Sequence, residues 1–187
     1  GVIPRLIDMG VDPYLIAPTL KLAMAQRLAR RLCPGTGQPM VVEGAVKMMM
    51  DTEFATLPPR FHDRIVKSQT VMHPVPSPGC TSGTKGRVAV MEVLEVNDAI
   101  QELILKGGSE EQMYNVARSH GFMTMKEDAI NKALSHIIPY EEVSAFGTNL
   151  IEEEAPIEAA PAAAPVAAVD PVAESMTSPA PVDNQTV

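Results

Sequence analysis

The strongest apolar pattern in the chain lies over residues 87–96, which read RVAVMEVLEV. Apolar side chains, several of them β-branched, occupy nearly every position of this run. A run of this kind is typical of a strand that is buried on both faces. The pattern therefore predicts a core strand at this point.

Three short helices are predicted after this strand, because each has a recognisable start and an apolar face. Asn97 is a predicted N-cap, and Ser109 with Gln112 and Thr124 with Glu127 fit the capping box, in which two side chains satisfy each other's backbone amides. The predicted stops are Gly107-Gly108, Gly121 and Pro139. The predicted apolar faces comprise Ile100, Leu103 and Ile104, then Met113, Val116 and Ala117, then Ile130, Ala133, Leu134 and Ile137. A last short helix is predicted over residues 141–146.

The first 32 residues have a mostly helical pattern. Pro4 suits a first helical turn and Gly10 suits a stop. Leu20, Met24 and Leu28 then recur at helical spacing, but AQRLARRL at 25–32 also alternates as a strand does. Both interpretations of residues 20–32 stay open at this level.

Residues 33–86 differ in sequence pattern from the segments on either side and are predicted to form a small module inserted into the main domain. EGAVKMMMDTEFATL at 43–57 favours a helix with a methionine-rich face, and 58–79 reads as turns and extended chain. For Met48-Met49-Met50, packing in the core is favoured over a soft partner surface.

The charge of the chain is concentrated at its end. The net charge is −8, yet residues 151–187 hold seven acidic residues and no lysine or arginine, so the rest is nearly neutral. This distribution argues against a nucleic-acid surface. The alanine, proline and acid composition from residue 150 onward predicts a disordered tail. With two cysteines and no apolar run near the ~20 residues that cross a bilayer, a reducing cytoplasm is the simplest interpretation.

The two cysteines each look like half of a zinc knuckle. A structural zinc site needs four ligands, usually two Cys-x-x-Cys pairs, but Cys33 is followed by Thr36 and Cys80 by Gly83 at the second positions. The nearest substitutes, His62 and His73, have no standard ligand spacing. We therefore expect no zinc and two free, mostly buried thiols.

The remaining candidate sites are weaker, and no catalytic residue is assigned. GCTSGTKG at 79–86 fails the phosphate-binding loop pattern, which requires four residues between the first glycine and Gly-Lys-Ser/Thr. Arg27, Arg30 and Arg31 cluster at the end of one element. They suit either a solvated edge with salt bridges or contact with a subunit or an anionic ligand, which guanidinium geometry favours.

Two separated motifs carry a family resemblance. The first motif consists of RLIDMGVDPYLI at 5–16 and AQRLARRLC at 25–33, which lead up to the insert. The second consists of Gly79-Cys80, near the end of the insert, and GRVAVMEVLEVNDAIQELI at 86–104, which continues from it. Over residues 1–147 the chain resembles the late portion of the type II secretion and type IV pilus assembly ATPases. Many members carry a four-cysteine zinc subdomain at the insert, and this sequence keeps only the first cysteine of each pair.

The resemblance implies an α/β fold in four parts. Residues 1–32 would end a RecA-like P-loop ATPase core, and 33–86 would be the inserted, degenerate zinc-knuckle subdomain. Residues 87–149 would supply a core strand and a helical C-terminal subdomain, and 150–187 the disordered tail. The two flanks of the insert should then pair antiparallel and bring Cys33 and Cys80 within the ~7 Å that a disulfide spans, so that mild oxidation could join them.

The resemblance also implies a function for the whole protein. It would be a homo-hexameric motor that uses ATP and Mg, at the cytoplasmic face of the inner membrane, and drives an inner-membrane platform protein, with no role for nucleic acid. The ATPase motifs are expected upstream of Gly1, so the chain alone is expected not to hydrolyse ATP. One alternative is a non-catalytic adaptor of the same fold that acts through protein contacts. Another is a metal or redox sensor that uses Cys33 and Cys80.

Overall fold

The computed structural model of the protein describes residues 1–147 and shows a mixed α/β structure, as the sequence predicts. The predicted disordered tail, 150–187, lies outside the described residues. The helices are α1 (Val2–Asp8), α2 (Pro13–Thr19), α3 (Gly44–Phe54), α4 (Asp98–Leu105), α5 (Glu110–Ser119) and α6 (Met125–Leu134). The strands are β1 (Leu22–Leu32), β2 (Gln38–Val41), β3 (Thr70–His73) and β4 (Thr84–Glu95), and two 3₁₀ helices span Pro59–Arg64 and Tyr140–Phe146.

The two strands that flank the insert form one long antiparallel ribbon. Its register runs from Leu22 opposite Glu95 to Leu32 opposite Thr84. The predicted strand and the predicted pairing are both confirmed, but burial of the strand on both faces is wrong, since Val93 is 43% exposed. The helical interpretation of residues 20–32 is also wrong. The apolar residues at helical spacing were misleading because pairing with a distant, strongly β-forming strand outweighs local propensity.

The insert contains its own short ladder and the predicted helix. β2 and β3 pair antiparallel, from Gln38 opposite His73 to Val41 opposite Thr70. In α3, Met50 is 6% exposed but Met48 is 71% exposed. Core packing of the methionine run is therefore confirmed for Met50 and wrong for Met48.

In the helical segment after the ribbon, residues 97–134, the helices begin at the predicted capping residues. The Asn97 side chain accepts the Ile100 amide, and both predicted capping boxes form. The third helix ends earlier than predicted, at Leu134, because His136 takes a positive φ of 59° and turns the chain before Pro139. Within residues 1–147, no helix is long and apolar enough to cross a membrane.

Two clusters of buried side chains hold these elements together. The first joins the ribbon, the insert, α6 and the second 3₁₀ helix: Ala29, Met50, Phe54, Leu57, Val71, Val90, Ala129, Ile130, Ala133, Leu134, Ile138, Val143 and Phe146. The second joins α1, α2, α4 and α5 around the end of β4: Ile3, Ile16, Ala17, Val96, Ile100, Ile104, Met113 and Ala117. The insert thus shares its core with α6 and the ribbon.

Candidate functional site

The two cysteines meet at the neck of the insert, where the chain leaves β1 and returns to β4. Their Cα atoms lie 6.6 Å apart, and the two sulfurs are joined in a disulfide. The predicted closeness is confirmed, and the expectation of free thiols is wrong in this structure. The cause is the ribbon register, which brings the two flanks of the insert together and places both cysteines within bonding reach.

The two turns that begin at Cys33 and Cys80 are each closed by hydrogen bonds to the backbone. The Thr36 amide donates to the Cys33 carbonyl at 3.2 Å, and the Thr36 hydroxyl donates to the same oxygen at 3.0 Å. The Gly83 amide donates to the Cys80 carbonyl at 3.1 Å, and the Gly83 carbonyl accepts the Cys33 amide at 3.1 Å. The turns are therefore tied to each other through Cys33 and Gly83.

Gly83 has no room for any side chain. Its φ is +69°, and an added β-carbon would lie 2.6 Å from the Val75 nitrogen and 2.9 Å from the Pro74 carbonyl carbon. Both are backbone atoms, so they cannot turn aside as a flexible side chain would. A cysteine at this position would have to displace the Pro74-Val75 segment.

The residues present do not fit a zinc ion. The two cysteine sulfurs at the neck are bonded to each other, and zinc binds cysteine as the free thiolate. His62 bonds the Leu57 carbonyl through Nε2, and His73 bonds Glu141 through Nδ1. No group of three or more His, Cys, Asp or Glu side chains suited to a metal occurs within residues 1–147. That the purified chain lacks zinc stays a prediction.

The three candidate arginines do not gather on one face of the ribbon. Arg27 and Arg30 point to opposite faces, since they are three residues apart on one strand, and Arg31 lies where the register shifts. The Arg30 guanidinium is 3.8 Å from Glu142, and its side chain is 70% exposed. The salt-bridge interpretation therefore fits Arg30, and contact with a ligand or a subunit stays a prediction.

One face of the ribbon carries exposed apolar side chains, together with the polar side chains of Gln26 and Glu95. It carries Leu22, Met24 and Leu28 of β1, which are 48%, 55% and 56% exposed, and Val93 of β4, which is 43% exposed. Met24 lies directly opposite Val93 in the register, so their side chains are neighbours. The other face buries Ala29 and Val90 completely against the first core cluster. An exposed patch of apolar side chains is typical of a surface that contacts another part of a protein or a partner.

Two carboxylates bind backbone amides on the outer edges of this ribbon. Glu142 accepts the Arg30 amide at 2.8 Å, and Asp128 accepts the Met91 amide at 2.7 Å. Sequence reasoning missed both roles. In the sequence, Asp128 is an ordinary acidic residue of a first helical turn. The residues around Glu142 give no sign that its carboxylate binds an amide of a distant strand.

A buried ion pair joins the helical segment to the insert. Arg118 of α5 and Glu127 of α6 have side chains that are 4% and 0% exposed, and Arg118 Nη1 donates to Glu127 Oε2 at 2.7 Å. The Arg118 guanidinium also donates to the Thr56 hydroxyl at 3.0 Å and to the Phe122 carbonyl at 2.7 Å. The capping pattern identified Glu127, but it gave no sign of Arg118.

Comparison with known proteins gives the family of the chain. The family of type II/IV secretion system proteins matches residues 1–145. The type IV pilus assembly ATPase PilB of Myxococcus xanthus is 34% identical over 146 residues, which are 76% of this chain and 24% of that protein. Type II secretion system protein E of Dickeya dadantii is 32% identical over 146 residues, 76% of this chain and 26% of its own length. Type II secretion system ATPase E of Vibrio cholerae is 30% identical over 145 residues, again 76% and 26%.

The chain thus spans about a quarter of the length of these relatives. The match includes the ribbon, the insert and the helical segment, so the family assignment rests on nearly all of the described structure. The chain belongs to the family of type II/IV secretion system proteins.

Proposed function

We propose that the chain is the C-terminal portion of a motor ATPase that powers type IV pilus assembly or type II protein secretion. Family membership supports this, and so do relatives named as ATPases of both systems. In this proposal the whole protein is a homo-hexamer that hydrolyses ATP with Mg at the cytoplasmic face of the inner membrane. It acts there on a platform protein in that membrane.

The apolar face of the ribbon is the observation that carries this proposal. Leu22, Met24, Leu28 and Val93 leave an uncovered surface beside strand edges on which two amides are bound by carboxylates. In a RecA-like core the preceding part of the same protein would cover this face of the ribbon, while its two edges stay bound to Glu142 and Asp128. Arg27, Arg30 and Arg31 would then lie near the end of the ribbon, close to a neighbouring subunit or an anionic ligand.

Two matched substitutions test the proposal in the whole protein. Met24 lies on the ribbon face and Met48 lies on α3 in the insert, and both are strongly exposed in this chain, at 55% and 71%. We expect Met24→Glu to lower ATPase activity and hexamer content at least ~10-fold, because a buried unpaired carboxylate is costly. Met48→Glu should leave both within about twofold, as surface substitutions usually do.

The same pair in the 187-residue chain shows whether folding is the cause. Neither substitution should change its unfolding free energy by more than about 0.5 kcal/mol, since both side chains are exposed there. A whole protein that keeps its ATPase activity and hexamer with Met24→Glu contradicts the proposal. If the coding sequence upstream of this chain, read in the same frame, encodes no phosphate-binding loop, the proposal of a motor ATPase is replaced by that of a non-catalytic adaptor.

A further inference from the structure

We propose that the Cys33–Cys80 disulfide is a reversible redox closure of the insert, which thiol reductants open and which loosens the neck when it opens. This inference is independent of the proposed motor function, because it concerns a bond within the described chain. The pair is separated by 47 positions in sequence, so the bond closes a loop that contains nearly the whole insert.

The disulfide lies where the ribbon is least regular. The ladder is continuous from Leu22 to Arg30, but it shifts register between Arg30 and Leu32, and β1 ends there. Beyond this point the Cys33 amide bonds the Gly83 carbonyl at 3.1 Å. The covalent bond therefore reinforces the part of the hairpin that has the weakest pairing.

Both cysteines are buried, so a reductant can reach the bond only when the neck opens locally. Cys80 is 9% exposed and lies in the turn Ser77–Cys80, between the exposed residues Gly79 and Thr81, whereas Cys33 is 5% exposed. A small local opening of this turn would expose the Cys80 sulfur. Thiol–disulfide exchange requires such access for the attacking thiolate.

The chemistry needs only a dithiol as co-reactant. One thiolate of the dithiol attacks Cys80 Sγ, the Cys33–Cys80 bond breaks, and Cys33 leaves as a thiolate that takes up a proton. The second thiol of the reductant then displaces Cys80, which is also protonated. The protein gains two electrons and two protons, and the dithiol becomes a cyclic disulfide.

The backbone of the neck favours re-formation of the bond over capture of a metal. After reduction the Cys33–Gly83 and Ser77–Cys80 backbone bonds open more often, but while they are formed they hold the two thiols near each other. Gly83 cannot carry a third sulfur, since backbone atoms of Pro74 and Val75 fill the space. Oxidation within one molecule is thus easier than assembly of a four-ligand zinc site.

The test uses the full chain in glutathione and dithiothreitol buffers, with maleimide labelling read by mass. Purified without reductant, the chain should take up no maleimide, and after dithiothreitol it should take up two. A reduced sample that is re-oxidised by glutathione disulfide before labelling should again take up no maleimide and should contain no disulfide between chains. Hydrogen exchange should show protection of the Cys33 amide falling at least ~10-fold on reduction, while amides of α4 and α5 stay unchanged.

The double variant Cys33→Ser/Cys80→Ser is the matched control. It should exchange at the neck as the reduced chain does, and it should not respond to dithiothreitol. The proposal is overturned by two reactive thiols at every glutathione composition, by disulfide-linked dimers as the oxidised product, or by equal exchange at the neck in both states. One tightly held zinc per reduced chain would also overturn it.

Discussion

The helical segment over 97–134 and the neck of the insert differ in how far apart their structural partners lie along the chain. In the helical segment each helix start is set within three residues; the Ser109 hydroxyl, for example, accepts the Gln112 amide at 3.2 Å. At the neck, the Cys33 amide bonds Gly83 and its sulfur bonds Cys80, 47 positions away. Local signals therefore predict the first region well, and only the strand pairing specifies the second.

The two capping boxes show the limit of local signals within the helical segment itself. Ser109 with Gln112 is exposed, whereas Glu127 of the second box is fully buried and paired with Arg118. The same four-residue pattern thus serves one helix start in solvent and one at the joint with the insert. The sequence does not distinguish them, because burial of Glu127 depends on packing from α5 and the insert.

Removing the charge of Arg118 should have the largest effect. Arg118→Met leaves Glu127 buried without its partner and leaves Thr56 and Phe122 without their guanidinium donor. We expect a loss of about 3–5 kcal/mol in the free energy of unfolding by urea. Lys106→Met is the control, because the Lys106–Glu102 pair is exposed and its loss should lower the free energy of unfolding far less. If the two variants lost the same free energy of unfolding, the buried Arg118–Glu127 pair would be no more important for stability than the exposed Lys106–Glu102 pair, which would contradict the prediction.

The accuracy of the sequence predictions follows the same division. The strand at 87–96, the helix in the insert and all three caps were predictable, because apolar runs and capping residues act on their own neighbourhood. The sequence of the strand at 22–32 is ambiguous between helix and strand, since its β conformation comes from pairing with β4. The meeting of the cysteines followed from that pairing, whereas the disulfide itself and the Arg118 contacts had no local signal.

A methyl group at Gly83 should have the second largest effect. Gly83 and Gly35 have nearly the same φ, +69° and +70°, but only Gly83 has backbone atoms within 3 Å of an added β-carbon. Gly35→Ala should cost about 1–2 kcal/mol from the left-handed conformation alone. Gly83→Ala should cost at least about 1 kcal/mol more, because the Pro74-Val75 backbone must move.

This comparison separates strain from lack of space. Urea unfolding of both variants in the same oxidised state gives the two values. If the alanine variants lose the same stability, the neck has enough freedom to accept a side chain at Gly83. A third sulfur at the neck, introduced by Gly83→Cys, would then become feasible.

Alanine at the two capping serine and threonine positions should have a smaller effect that still differs between the regions. Ser109→Ala and Thr124→Ala each remove the acceptor for an N3 amide, which costs about 0.5–2 kcal/mol. Thr124→Ala should lie at the upper end, because the amide it leaves belongs to the fully buried Glu127. Urea unfolding measures both, and a larger loss for Ser109→Ala would show that burial does not decide the value of a cap.

The smallest expected effect is at Glu102, the exposed counterpart of Glu127. The hydrogen bond from Lys106 and its positive charge lower the pKa of the Glu102 carboxyl below its ordinary value. Since the folded-state pKa is depressed, this pair stabilises the protein above the ordinary pKa of a glutamate, and the contribution disappears as the pH falls through the lowered value. Carboxyl NMR titration should show the pKa of Glu102 rising toward its ordinary value in Lys106→Gln. An unchanged pKa in that variant would mean that solvent already screens the pair completely, which would make the contrast with the buried Arg118–Glu127 pair sharper still.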